Sequence, residues 1–190
     1  MDTTLRWTSS DLELFADDGK RYEIIDGELY VSKAARYEHQ RAYTSISRML
    51  DNWSCQTRLG ETLSSPGIIF ADDDDVIPDV VWISRERRDQ ILGHDGHFHA
   101  APELVIEVLS FTGNNERRDR EAKLKLYSRK GVKEYWMINW LMRQVEVYRR
   151  RGKSLKLVAK LHASQTLTSP LLPGFSCQVG EIFEDYLADS

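Results

Sequence analysis

The chain has 190 residues, 41% of them hydrophobic and 29% charged, with a formal net charge of −4. That balance fits one globular domain able to bury its own core, and the net charge argues against a whole-protein electrostatic grip on nucleic acid. No apolar run is long enough to span a bilayer, so no membrane association is expected.

The N-terminus "MDTTLRWTSS" lacks a basic region followed by an apolar core, so no signal peptide is expected. Cys55 and Cys177 form no metal or redox spacing. They suit a reducing cytoplasm, the expected location, although two cysteines are also enough for one bridge. Charge is uneven along the chain. "ADDDD" at 71–75 is acidic, whereas 117–133 and 149–156 are basic. The basic segments read either as a solvated mixed surface or as a local positive face.

In chain order, "RYEIIDGELYVS" alternates around Asp26-Gly27, which predicts a hairpin with a tight turn. Tyr43, Ile46, Leu50 and Trp53 recur at helical spacing and predict a helix from about Arg36 to Trp53. "SSPGIIFADDDD" predicts a short strand and an acidic loop. "IPDVVWIS" (77–84) and "APELVIEVLS" (101–110) predict two more strands, separated by the mostly polar "RERRDQILGHDGHFHA". "NNERRDREAKLKLYSRKG" predicts a helix that stops at Gly131. "VKEYWMINW" predicts a strand, and "RQVEVYRRRGKSLKLVAKL" a hairpin turning near Gly152. "SPLLPGFSCQV" predicts a loop and short strand, and "EIFEDYLADS" a closing helix. No repeat or linker divides the chain, so residues 1–190 are read as one domain. The order helix, three strands, helix, strand, with apolar residues on both faces of "ELVIEVL", predicts a layered α/β or α+β fold.

Two carboxylates stand out because they interrupt or open apolar strands: Asp79 in "IPDVVWIS" and Glu107 in "ELVIEVLS". A buried charge must be paired or bind a cation. Antiparallel pairing of these strands brings the start of one beside the end of the other, so the two acids converge. Converging carboxylates repel unless one protonates or a cation holds both. Oxygen ligands favour a hard ion such as magnesium, which takes one or two carboxylates and keeps several waters. At about 100° per residue, Lys123 falls between Leu126 and Tyr127 on the helical wheel, facing the sheet, while Lys125 falls on the outer face. Its ammonium can orient a water or neutralise charge on a phosphate. The bland alternatives stand beside this reading: Asp79 after Pro78 capping a turn, and a plain Glu107–Lys123 ion pair.

These segments resemble the PD-(D/E)XK nuclease superfamily and, more closely, its Uma-type branch of restriction-endonuclease-like proteins. "RYEIIDGELYVS" resembles the opening hairpin and "EHQRA" the histidine-bearing helix. "IPDVVWIS" resembles the PD strand and "PELVIEVLS" the acidic strand. "DREAKLKLYSRKGVKEYWMIN" resembles the lysine helix and the strand after it, and "LPGFSCQVGEIF" the C-terminal end. The resemblance runs from about Arg21 to Phe183.

The resemblance implies an αβββαβ core with a mixed sheet flanked by helices. It implies that Asp79, Glu107 and the backbone carbonyl of Val108 bind Mg2+ or Mn2+, and that a metal-activated water hydrolyses a DNA phosphodiester bond. The superfamily pattern expects a lysine at the position of Leu109; in this branch it has moved to Lys123, the residue the wheel selects independently. His39 lies where the family carries a histidine and is implied as an assisting residue. Two further departures are Phe111, where relatives usually carry proline, and Asn139, where they usually carry aspartate.

Glu23 and Glu28 flank the Asp26-Gly27 turn and read as hairpin surface residues, with an additional acid near the metal as the alternative. His94, His97 and His99 read as a solvated loop rather than a metal site, and residues 72–75 as a solvated acidic turn. Trp82 and Trp136 read as core. Two other functions stay open: a nucleic-acid-binding protein of this fold that does not cleave, and a homodimeric interaction module built on a sheet edge or the long C-terminal hairpin.

Overall fold

The Asp26-Gly27 pair makes the turn its chemistry suits. Both residues have positive φ, 53° and 76°, and they join strand β1 (Arg21–Ile25) to β2 (Glu28–Ser32) with Ile25 opposite Glu28. The structure, a computed structural model, describes residues 5–15, 18–111 and 118–184, without the side chains of residues 118 and 119. A short helix, α1 (Ser9–Leu12), precedes the hairpin. Helix α2 (Tyr37–Thr57) comes after it and buries Ile46, Leu50 and Trp53 of the expected stripe together with Ala42, while Tyr43 is half-buried.

The strands assemble into two main sheets. The larger contains β3 (Gly60–Ser64), β6 (Val80–Ser84), β7 (Leu104–Val108), β8 (Glu134–Asn139), β9 (Gln144–Arg151) and β10 (Ser154–His162). Its order is β10-β9-β8-β7-β6-β3, with β7 and β8 parallel and the other pairs antiparallel. The smaller joins the hairpin to β4 (Ile68–Ala71) and β5 (Asp74–Val76), in the order β2-β1-β5-β4. Between β6 and β7 lies α3 (Arg85–Ile91). Before β8, a π-helical segment (Arg118–Lys123) runs into α4 (Leu124–Lys130). β11 (Thr166–Thr168) and β12 (Ser176–Gln178) pair with each other, and a 3-10 helix (Val179–Phe183) ends the described chain. The core is therefore αβββαβ with a mixed central sheet. No described helix is long and apolar enough to cross a membrane.

The large sheet separates two cores, which is why its central strands are apolar throughout. Alternation along β7 sends Leu104, Ile106 and Val108 toward α2 and the C-terminal segment, where Val80, Trp82 and Trp136 join them. Val105 faces the other way, with Val81 and Ile83, against α4 and the smaller sheet. Residues of odd number on β7 thus point to the same side as Lys123's helix. Gly131 closes α4 in the left-handed region, φ 98°, as its sequence position predicted. The predicted C-terminal hairpin forms, but its charges serve the fold in part. Arg149 pairs with buried Glu134 at 3.0 Å, and Arg150 donates to the carbonyl of Ser128 in the last turns of α4 and of Val132 just beyond it.

Several sequence expectations need correcting. The first core strand is Gly60–Ser64, not "GIIF", which belongs to the smaller sheet. Gly60 sits so close to Ile83 O and the Trp82 ring that a Cβ there would clash, so a small residue opens this edge strand. The polar stretch after β6 is helical from Arg85, capped by the Ser84 side chain accepting from Arg87 N. Cys55 and Cys177 are both free. The start of the lysine helix at 114–117 and the closing helix at 185–190 lie outside the described residues.

The acidic run is not simply solvated. Asp74 is buried in β5, accepts from Asp26 N at 2.9 Å, and pairs with Lys130 at 2.8 Å and Arg129 at 3.1 Å. It ties the smaller sheet to the end of α4. Asp73, by contrast, makes an exposed pair with Arg6. Asp74→Ala should therefore lower the unfolding free energy by about 2 kcal/mol, since it strands the Asp26 amide and the Lys130 ammonium. Asp73→Ala should change it by less than about 0.5 kcal/mol. Urea unfolding at neutral pH checks the contrast, and equal midpoints for the two variants would contradict it.

Candidate active site

The register of β6 against β7 sets the site. Val80 pairs with Ile106 and Val81 with Val105, so continuing the ladder one step places Asp79 opposite Glu107. Asp79 lies just outside β6 and shares the parity of Val81 and Ile83, which face α4. Glu107 shares the parity of Val105, so both acids leave the sheet on one side. The ladder does not continue beyond Val80 in backbone bonds. Instead Val108 N donates to Asp79 Oδ2 at 2.9 Å. A main-chain donor at the end of the ladder thus finds its acceptor in the Asp79 side chain and holds that carboxylate in place.

Two other side chains converge on Asp79, which is 2% exposed. Arg21, at the start of β1, donates to Oδ1 at 3.1 Å. His39, in the first turns of α2, places Nε2 3.3 Å from Oδ2. The ionised carboxylate only accepts, so this contact assigns a proton to Nε2. Nδ1 is buried with no hydrogen-bond partner among the described residues. Burial alone would raise the Asp79 pKa. The His39 hydrogen bond, then the nearby charges of His39, Arg21 and Lys123, outweigh it and hold the carboxyl well below the usual carboxylate range.

Glu107, also 2% exposed, faces a second cluster. Its Oε1 accepts from Lys123 Nζ at 2.8 Å and from Tyr127 OH at 2.8 Å. Lys123 is 1% exposed, as its wheel position required, whereas Lys125 is exposed. It lies at the end of the π-helical segment, a local widening that often accompanies functional positions. The same ammonium lies 2.9 Å from Glu23 Oε1, and that oxygen also accepts from Ile77 N at 3.0 Å. Burial, then the negative charges of Glu107 and Glu23, push the Tyr127 hydroxyl well above its ordinary pKa, so it stays a proton donor. Burial lowers the Arg21 pKa, but the charges of Asp79, Glu23 and Glu107 outweigh it and leave the value raised.

All four candidate catalytic side chains, Asp79, Glu107, Lys123 and His39, line one cleft of about 380 Å³ together with Val108 and Arg21. Three site residues were missed or misplaced in the sequence. Glu23, expected on the hairpin surface, is fully buried and holds Lys123; Glu28 is exposed as expected. The signal for Glu23 was its place directly before Ile24 and Ile25, an acid opening an apolar run as Asp79 does. Arg21 lies two residues earlier on the same strand face. Tyr127 lies one helical turn after Lys123.

Other residues singled out in the sequence have local explanations. Leu109 is fully buried in the second core and donates its backbone N–H to Ile138 O. Asn139 accepts from Met142 N at 2.9 Å and caps the turn after β8. His99 bonds Asp95 at 3.0 Å on an exposed loop. Among the described residues, no group of three or more His, Cys, Asp or Glu side chains is arranged to hold a metal ion.

A divalent cation fits the donor set in one sense. Two carboxylates and a main-chain carbonyl at Val108, completed by water, are the hard oxygen donors magnesium takes. Both Asp79 oxygens and Glu107 Oε1 already accept from protein donors. A cation would therefore enter in competition with Arg21, His39 and Lys123.

A family described as "Putative restriction endonuclease", Uma2, matches residues 6–180. No functionally curated protein matches the chain. Among solved structures, the fold is similar to a crystal structure described as a "putative nuclease belonging to DUF820" from Anabaena variabilis. The TM-score is 0.76 at 15% identity, covering 93% of this chain and 97% of that one.

The depressed Asp79 pKa has a consequence for stability. The unfolded carboxyl titrates near pH 4, above its folded value. Its contribution is therefore fully present above about pH 4 and is lost as pH falls toward the folded value, because the unfolded state takes up the proton first. The stability difference between the wild type and Asp79→Asn should be constant above about pH 5 and shrink below about pH 4. Urea unfolding across that range checks it, and a difference independent of pH would refute it.

Proposed function

The chain belongs to the Uma2 family, and we propose that its cleft hydrolyses phosphodiester bonds in DNA with a divalent cation, Mg2+ or Mn2+, as cofactor. The observation that carries this reading is the meeting of Asp79, Glu107, Lys123 and His39 in one cleft, with Lys123 Nζ 2.8 Å from Glu107. Asp79, Glu107 and the carbonyl of Val108 are the groups that would hold the cation. When bound, it lowers the pKa of a water and balances charge on a phosphoryl oxygen.

The chain's own residues supply orientation and charge. Lys123 is fixed between Glu23 and Glu107, so its ammonium is held ready for the attacking oxygen or for the negative charge that grows on the phosphate. Arg21 adds a second cation beside Asp79. His39 is oriented by Asp79 through Nε2 and fixes that carboxylate at the edge of the cleft. In the net reaction, water adds to phosphorus, the P–O ester bond breaks, and the leaving sugar oxygen takes up a proton.

Nicking of supercoiled plasmid with magnesium or manganese tests the reading. Wild type should nick, and Asp79→Asn, Glu107→Gln and Lys123→Met should each lose about 100-fold or more in rate. Equal trace activity in the wild type and Asp79→Ala would remove it.

One observation favours a second reading. The acidic oxygens are engaged by protein donors, as in a site that binds without cleaving. In that case DNA binding weakens as salt rises while nicking is absent. Calorimetric titration with magnesium separates the two: heat from the wild type and none from Glu107→Gln supports the nuclease.

A further inference from the structure

A second cavity of about 350 Å³ opens beside the cleft and shares Ser32, Lys33, His39 and Ser110 with it. Its far wall is aromatic. Phe111 and Trp140 meet edge to face, with centroids 5.1 Å apart and planes at 81°. The Trp140 indole is fixed in orientation because Nε1 donates to Leu109 O at 2.9 Å. Arg36 places its guanidinium 5.8 Å from the Trp140 ring centroid. Lys33 and Arg36 are the cations on this cavity, and no acid is among its described lining residues.

We propose that this cavity takes one unpaired base of the DNA strand whose phosphate lies in the cleft, a step that rests on the nuclease reading. Four features converge on this occupant. The volume falls in the range of small-ligand pockets. An aromatic wall with a guanidinium over it is the surface on which flat bases stack, irrespective of sequence. The cationic rim suits a ligand carried on a phosphate backbone. The shared residues put the cavity next to the groups that would act on the phosphate.

The geometry states what must move. A base between the guanidinium and the indole needs two contact spacings, about 7 Å in all, against the 5.8 Å found. Arg36 must therefore withdraw by about 1 Å. Its side chain is 64% exposed, and among the described residues it is held by the Trp140 ring, which the base would replace as its partner, and by a long pair with Glu38 at 3.5 Å, so little opposes that shift. The occupant is a base outside a duplex stack, because a paired base presents only its edge. Single-stranded DNA, or a duplex with an unpaired position, is thus the substrate class this cavity selects.

The test uses the full chain in EDTA, so that nothing is cleaved, and fluorescence anisotropy of two labelled strands. One is a thymidine strand of about twelve nucleotides, and the other has the same length and phosphates but abasic sugars. Both carry the same charge, so their affinity ratio reads the bases alone. Wild type should prefer the base-bearing strand by about tenfold. Arg36→Ala and Trp140→Ala should bring the ratio close to one. If Trp140→Ala does not fold, exposed Arg36 still decides the matter. A wild-type ratio near one, or a preference unchanged in Arg36→Ala, overturns the proposal. Plasmid nicking keeps the two readings apart. Wild type that nicks without base preference loses only the base site, and wild type that prefers bases without nicking keeps the base site and loses hydrolysis.

Discussion

A single buried ammonium holds the molecule's parts in register. Lys123 Nζ reaches Glu23 on β1 and Glu107 on β7 from the helix that packs over both. It thereby joins the smaller sheet, the central strand and the lysine helix at one point. Two carboxylates in so dry a place repel each other, and a cation between them turns that repulsion into a constraint. Removing one partner of such a group leaves an uncompensated charge, a loss of about 3–5 kcal/mol. The charges that equip the cleft are thus the same charges that dock the hairpin. Substitutions at Lys123 or Glu23 act on folding as well as on chemistry.

The second constraint is a matter of backbone accounting. Strands β6 and β7 stop pairing at Val80 and Ile106, and the next main-chain donor, Val108 N, turns to Asp79 Oδ2. A sheet that frays here would leave a buried N–H without an acceptor. Asp79 removes that defect and is itself fixed by it, so its carboxylate sits where the two strands splay. Splayed strands open the cleft, and the parity of the strands turns both acids into it. Position depends on register, and register depends on the apolar alternation on both faces of the sheet.

Much of this was legible in the sequence because it violated local rules. Asp79 and Glu107 were visible as acids in runs that otherwise read as core, and Lys123 as a lysine on an apolar arc. What stayed hidden depended on neighbours remote in the chain. Glu23 looks like a surface residue when the hairpin is considered alone. It is buried because β5 flanks β1 and α4 lies over it, contacts that no local pattern announces. Asp74 was masked in the same way by three neighbouring aspartates, its partners being 55 and 56 positions further along. The edge strand β3 has too few apolar residues to show a period, and its Gly60 reflects the closeness of β6 rather than a turn.

The rim of the cleft obeys a different logic from its floor. The floor is made by residues on strands and a helix, which packing holds in place. The rim is made by Lys33 and Arg36 on a connecting segment and by Phe111 and Trp140 just beyond β7 and β8. A rigid floor can keep one chemistry while connecting segments change what is admitted. Trp140 bridges the two regimes, with its indole N–H bonded to the backbone of Leu109 immediately after the acidic strand. Whatever occupies the aromatic wall therefore bears, through that bond, on the strand that carries Glu107.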